Sequence, residues 1–172
     1  MNRLLLVLLA VTLGGCSGSK GIDSFYKAHK NDPEVMAVRV PEVMLSFLRT
    51  ASPEMRELVG NARDIRYMKL PLGAEEREKE INSWVDNLDS GSYIEIYRRN
   101  SEMGKNVVSI RENGRSVKEV LVYTSDLNTG SILYFSGDFA PEKIREMANT
   151  QGFDKFASSL LLEFKPMTPV SE

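Results

Sequence analysis

The sequence predicts an α+β fold: a mixed, largely antiparallel sheet with helices packed on one face. Three observations predict it. Four short segments between Tyr93 and Gly137 alternate apolar and polar residues with the period of half-buried strands. Segments on either side of them carry apolar residues three and four apart, the period of amphipathic helices. The composition, 42% hydrophobic and 27% charged over 172 residues, provides for one buried core and leaves no room for a second sizeable domain.

The chain begins with a targeting pattern. Arg3 supplies a positive start, Leu4 to Leu13 is an apolar run broken by Thr12, and Gly14-Gly15 lead into Cys16, as in a secretory signal peptide. That run reaches about 15 Å as a helix, too short for a hydrocarbon layer of about 30 Å. The tetrad Leu13-Gly14-Gly15-Cys16 resembles the lipobox of bacterial lipoproteins, which implies cleavage before Cys16 and lipidation of its sulfur. Residues 1–15 then form the signal peptide, 16–21 the lipidated cysteine with a short tether, and 22–172 the α+β domain. The tether Ser17-Gly18-Ser19-Lys20-Gly21 spans at most about 18 Å, so the expected partner is the membrane, through the N-terminal lipid. Ser17 is not the aspartate that retains lipoproteins in the inner membrane of enteric bacteria, and no acidic cluster follows Cys16. The expected location is the periplasmic face of the outer membrane.

Ile22 to Lys30 reads as a helix with Asp23 as its N-cap and Phe25 and Tyr26 on its apolar side. Val35 to Val40 is a short β-branched strand, and Pro41-Glu42 opens a helix carrying Val43, Met44, Phe47 and Leu48. Ser52-Pro53-Glu54 starts a further helical turn toward Gly60, and Asp64 to Leu70 is a second strand; the spacing fits a β-α-β crossover. Ala74 to Leu88 is the clearest helix, with Ile81, Trp84, Val85 and Leu88 on one stripe and acidic residues in its first turn. Strands are expected over Tyr93 to Arg99, Asn106 to Glu112, Val117 to Thr124 and Ser131 to Gly137, with Asn113-Gly114 as a two-residue hairpin turn. Pro141 to Thr150 is a helix, and Phe153 to Phe164 an amphipathic helix or strand.

Composition excludes several chemistries. A net charge of -2 argues against a nucleic-acid partner. One cysteine excludes an internal disulfide, and one histidine leaves little for a zinc site or a Ser-His triad. No phosphate loop, dinucleotide fingerprint, nucleophile elbow or zinc-protease motif is present. His29, beside Lys27 and Lys30, suits the end of a helix. Asp126-Leu127-Asn128-Thr129-Gly130 resembles the start of a calcium loop, but the closing acid is replaced by Gly137, and a turn explains the residues. Met44 and Met147 fall on apolar helix faces as core filler. No metal or cofactor is expected.

In the expected strands, Ile94, Ile96, Val108, Ile110, Val120, Val122, Leu133 and Phe135 form one alternating set. The opposite set holds Tyr93, Tyr97, Tyr123 and Tyr134 among charged residues such as Arg111 and Glu119, a mixture suited to a partner-binding face, to a solvated sheet or to a second small core. The lipobox, Phe25-Tyr26-Lys27, Val35 to Met44, Ile65-Arg66-Tyr67, the late strands and Gly137-Asp138-Phe139 together resemble the bacterial lipoprotein family catalogued as domain of unknown function 4252. The resemblance implies location and fold, and of functional residues the Cys16 anchor alone. The expected function is a non-catalytic envelope lipoprotein that binds another envelope protein. The alternative is a peripheral hydrolase of an envelope polymer, using carboxylates among Asp86, Asp89, Asp126 and Asp138 across a cleft.

Overall fold

β-branched and aromatic residues crowd the long run from Ile94 to Phe139, which together with the stretch from Ala62 to Pro71 becomes the body of one sheet. The computed structural model describes residues 21–51, 53–88 and 92–163. Cys16, the leader, the tether before Gly21 and Asp89 lie outside them, as does the Phe47 side chain. In chain order the elements are α1 Ile22–His29, β1 Met36–Arg39, α2 Glu42–Ala51, α3 Pro53–Gly60, β2 Ala62–Pro71, α4 Glu75–Asp86, β3 Ile94–Ser101, β4 Gly104–Asn113, β5 Ser116–Ser125, β6 Thr129–Phe139, α5 Pro141–Asn149 and α6 Gly152–Glu163.

The six strands lie in the order β1-β2-β6-β5-β4-β3. Every pairing is antiparallel, including β1 with β2. The β-α-β crossover is therefore corrected. α2 and α3 join neighbouring antiparallel strands, because two short helices carry the chain back alongside β1 rather than over to a parallel position. The sheet is α+β as expected, and wholly antiparallel where a mixed one was expected.

Coverage of the sheet also differs from expectation. On the first face Ile65, Val108, Ile110, Val120, Val122 and Phe135 pack against Leu45 and Leu48 of α2, Leu58 of α3, Ile144 of α5, and Phe153, Phe156 and Leu160 of α6. On the second face Met68, Leu70, Val107, Leu121, Tyr123 and Ile132 pack under Ile22 and Phe25 of α1 and Ile81 and Val85 of α4. Helices thus cover both faces, and two apolar clusters sandwich the sheet. The physical reason is that α1 and α4 each bury a stripe, and the second face supplies enough apolar surface to receive both.

Local details shift as well. The N-cap of α1 is Gly21, with no side-chain cap bond, while Asp23 sits in the first turn. Among the described side chains of α2, Leu45 and Leu48 are buried, Met44 packs half-buried against the same core, and Val43 is exposed. The hairpin after β4 pairs Asn113 with Ser116, so Gly114 and Arg115 make the turn. Gly114 has φ +65 and takes the first central position, where a two-residue loop of the II′ kind takes glycine. Phe153 to Glu163 is helical, settling the expected helix-or-strand alternative.

Candidate functional site

The tyrosines proposed for a partner face do not form one. Tyr93, Tyr123 and Tyr134 are buried in the second core beneath α1 and α4, at 8%, 0% and 5% exposure. Tyr97 is half-buried and packs on the first core. A bulge between Glu95 and Tyr97 adds one residue to β3, which places Tyr97 opposite Val108 and turns it to the other face. The expectation of an open tyrosine face is corrected accordingly.

Around the buried tyrosines runs a band of paired charges. Its register is Asp64 beside Ser136 beside Glu119 beside Arg111, next to a row holding Arg39, Arg66 and Tyr134. Arg66 donates through Nε to Asp64 Oδ2 at 2.7 Å and through Nη1 to Asp23 of α1. Its guanidinium lies 5.4 Å from the centre of the Tyr26 ring and 5.5 Å from that of Tyr134. Arg39 donates to the other Asp64 oxygen at 2.9 Å. Glu119 accepts from Arg111 and from the Tyr93 hydroxyl.

The titration behaviour follows from these contacts. Burial pushes the Glu119 carboxyl up, but the hydrogen bonds from Arg111 and Tyr93 outweigh it and hold the group below its ordinary range. Burial, then the neighbouring Glu119 carboxylate, pushes the Tyr93 phenol far up. Burial works against the charge of Arg66, yet Asp64 and Asp23 leave it more firmly protonated than usual. The band neutralises itself and pins α1 to the sheet.

The sequence-selected carboxylates are spread over separate elements. Asp86, on α4, takes Lys105 Nζ at 3.0 Å and Arg98 at 3.2 Å; these offset its partial burial and lower its carboxyl pKa. Asp138 lies within β6, two residues before the Ala140 N-cap of α5, and its carboxyl is lowered by the Lys118 ammonium at 3.0 Å. Asp126 accepts the backbone N–H groups of Asn128 and Thr129, both at 2.8 Å, which lower it and close the β5–β6 turn. His29 Nδ1 lies 2.9 Å from Asp32 Oδ2 and its ring packs on Phe25. It is more enclosed than a helix-end surface residue, because the chain after α1 folds Asp32 back onto it.

A cleft of about 280 Å³ opens at the sheet end formed by the β3–β4 and β5–β6 turns. Glu78 and Asn82 of α4 make one wall; Asn100 to Lys105 and Ser125 to Leu127 make the others. Beneath it the buried Tyr123 hydroxyl donates to Asn82 Oδ1 at 3.2 Å. The two turns meet backbone to backbone at Gly104, φ +154, where a Cβ would stand 1.9 Å from the Ser125 carbonyl oxygen. Met103 and Leu127, 68% and 64% exposed, are among the lining residues. Glu78, Glu102 and Asp126 bring negative charge, while the ammonium of Lys105 is already held by Asp86. Sequence reasoning missed this cleft. Its signal was two exposed apolar residues, Met103 and Leu127, at turns where polar residues are the rule.

The cleft lies away from the start of α1. Asp23 meets β2 at Arg66, whereas Leu72, six residues further on, donates its N–H to Asn128 of the β5–β6 turn at 2.7 Å. That is about 20 Å along an extended strand.

No curated protein and no solved structure matches the chain. A family model does match, that of a domain of unknown function, DUF4252, over residues 26–147. It covers β1 to β6 and most of α5, so the whole sheet and the cleft belong to the matched region, while Ile22 and Phe25 of the second core and the α6 residues of the first lie outside it. With most of its length inside that match, the chain belongs to the DUF4252 family.

Proposed function

We propose that this chain is a lipid-anchored bacterial envelope protein whose domain binds another envelope protein and catalyses no reaction. The anchor rests on Leu13-Gly14-Gly15-Cys16 behind a charged, apolar leader. Cys16 becomes the lipidated first residue, and Ser17 favours the periplasmic face of the outer membrane. No described helix is long and apolar enough to cross a membrane. In this reading the attachment is made by the acyl chains on Cys16, which at about 0.8 kcal/mol per buried methylene hold durably as a pair or triplet.

The observation that carries the binding reading is the cleft at the β3–β4 and β5–β6 turns, with Met103 and Leu127 left in solvent at its walls. It sits at the end of the sheet away from the tether, where a partner in the periplasm has access. Exposed apolar side chains beside an acidic lining suit a partner segment that is apolar and basic. Photo-crosslinkers placed at positions 103 and 127 in intact cells should trap one discrete protein, and Met103→Asp with Leu127→Asp should abolish the product. The same random neighbours at 103, 127 and the exposed control position 39 would count against the reading.

The hydrolase alternative keeps one specific support, since Glu78, Glu102 and Asp126 line a common cleft. Purified protein incubated with peptidoglycan should then release new reducing ends, lost in Glu78→Gln with Glu102→Gln. No release by the wild-type chain would remove this alternative.

A further inference from the structure

We propose that α1 is a releasable strap: it docks on the second face of the sheet under most conditions and detaches as a unit, lengthening the link between the lipid and the domain. Its consequence for reach rests on the anchor proposed above, whereas the opening itself does not. The helix has eight residues, of which Ile22 and Phe25 are buried. A helix this short does not persist alone in water, so undocking and melting are one event.

What holds it is concentrated in a few side chains. Phe25 stacks on Trp84 of α4 with ring centres 4.0 Å apart. Asp23 and Tyr26 both engage Arg66, and just beyond the helix Asp32 accepts from Arg77 Nη2 at 3.0 Å. What opposes it is local. The connection to β1 passes through Glu34 at φ +63, a left-handed conformation that a residue with a Cβ adopts at a cost. That connection relaxes when α1 leaves. The sheet beneath stays intact, because β2 is paired on both sides, with β1 and β6, and α1 contributes no strand.

The geometric effect is large. With α1 docked, the five residues 17–21 separate Cys16 from the folded body, a span of at most about 18 Å. With α1 released, the link runs to Val35 and extends to about 65 Å. A docked strap holds the domain against the bilayer, and a released one lets the cleft work well away from it.

Native-state hydrogen exchange tests this on the mature lipidated protein in phosphatidylcholine vesicles, followed through rising urea below the unfolding transition. Amides of residues 24–30 should exchange about 100-fold faster than those of β5 and β6, with a shallow urea dependence. Phe25→Ala should speed them further and leave β5 and β6 unchanged. Asp23→Asn, a change at an exposed side chain, should do the same more weakly should Phe25→Ala fail to fold. Exchange of residues 24–30 that merges with β5 and β6 into one global opening overturns the strap. Recovery of the protein with a free Cys16 thiol overturns the anchor instead, and the same exchange measured on that thiol form still decides whether α1 opens.

Discussion

Glu119 is the residue on which the charged band turns. Both of its oxygens are engaged, one by Arg111 and one by the Tyr93 hydroxyl, at a site where its side chain keeps 17% exposure. Glu119→Gln leaves Arg111 and the buried phenol without their anion, and should cost about 1–3 kcal/mol in urea unfolding at pH 7. The sign with pH follows from the direction of the shift. A carboxyl lowered in the folded state stabilises above its unfolded value and loses that contribution as pH falls through the folded one. The difference between wild type and Glu119→Gln should therefore be full at pH 7 and shrink below about pH 4. A second test at this scale is Gly104→Ala, whose new methyl group would meet the Ser125 carbonyl. Thermal unfolding should show a loss of about 2–4 kcal/mol. None of these pairings was legible in the sequence. Glu119, Arg111 and Tyr93 read only as part of one alternating set of tyrosines and charged residues, since their contact depends on the register of β4 with β5 and on how the chain enters β3. The proposal for Cys16, by contrast, rests on its neighbours in the chain alone.

Elements were legible where periodicity and punctuation agreed. The helix ending near Leu88, the Pro141 start of α5 and the four late strands fall within a few residues of expectation, because each is bounded by Gly, Pro or Asn and carries one clear period. Bulges defeated the finer reading. One extra residue between Glu95 and Tyr97 sends Tyr97 to the first core, and alternation counted along β3 cannot register an insertion that exists only relative to β4. The crossover between β1 and β2 failed for a related reason, since two helices of spacing length serve an antiparallel return as well as a parallel one. At this scale Glu34→Gly is informative. Glycine accepts φ +63 freely, so the substitution should raise the protection of residues 24–30 about threefold to tenfold in hydrogen exchange. Unchanged or faster exchange would contradict the strained connection described for Glu34.

At the scale of the whole molecule, the main departure from the sequence reading is that the second face of the sheet is an interior. Helical periodicity states that α1 and α4 bury a stripe, but not which face receives it, and the tyrosines that suit a solvated sheet suit a second core equally. The cleft was not legible because α4 and two turns far apart in the chain build it together. Acid should weaken the whole domain. Asp23, Asp32, Asp86, Asp138 and Glu119 are all held below their ordinary range by basic partners, so their contribution is present above about pH 5 and disappears on acidification below about pH 4. Urea midpoints across that interval should fall with falling pH, and a rise would contradict the ion-pair account.

The location proposed for the protein rests on Cys16, and Cys16→Ala should move the chain out of the salt-washed membrane fraction. The most direct measurement is the mass of the N-terminal peptide of the protein purified from its own membranes. The account predicts a chain beginning at Cys16 with diacylglycerol on the sulfur. A chain that begins at Met1, or one that carries an unmodified Cys16 thiol, would contradict it.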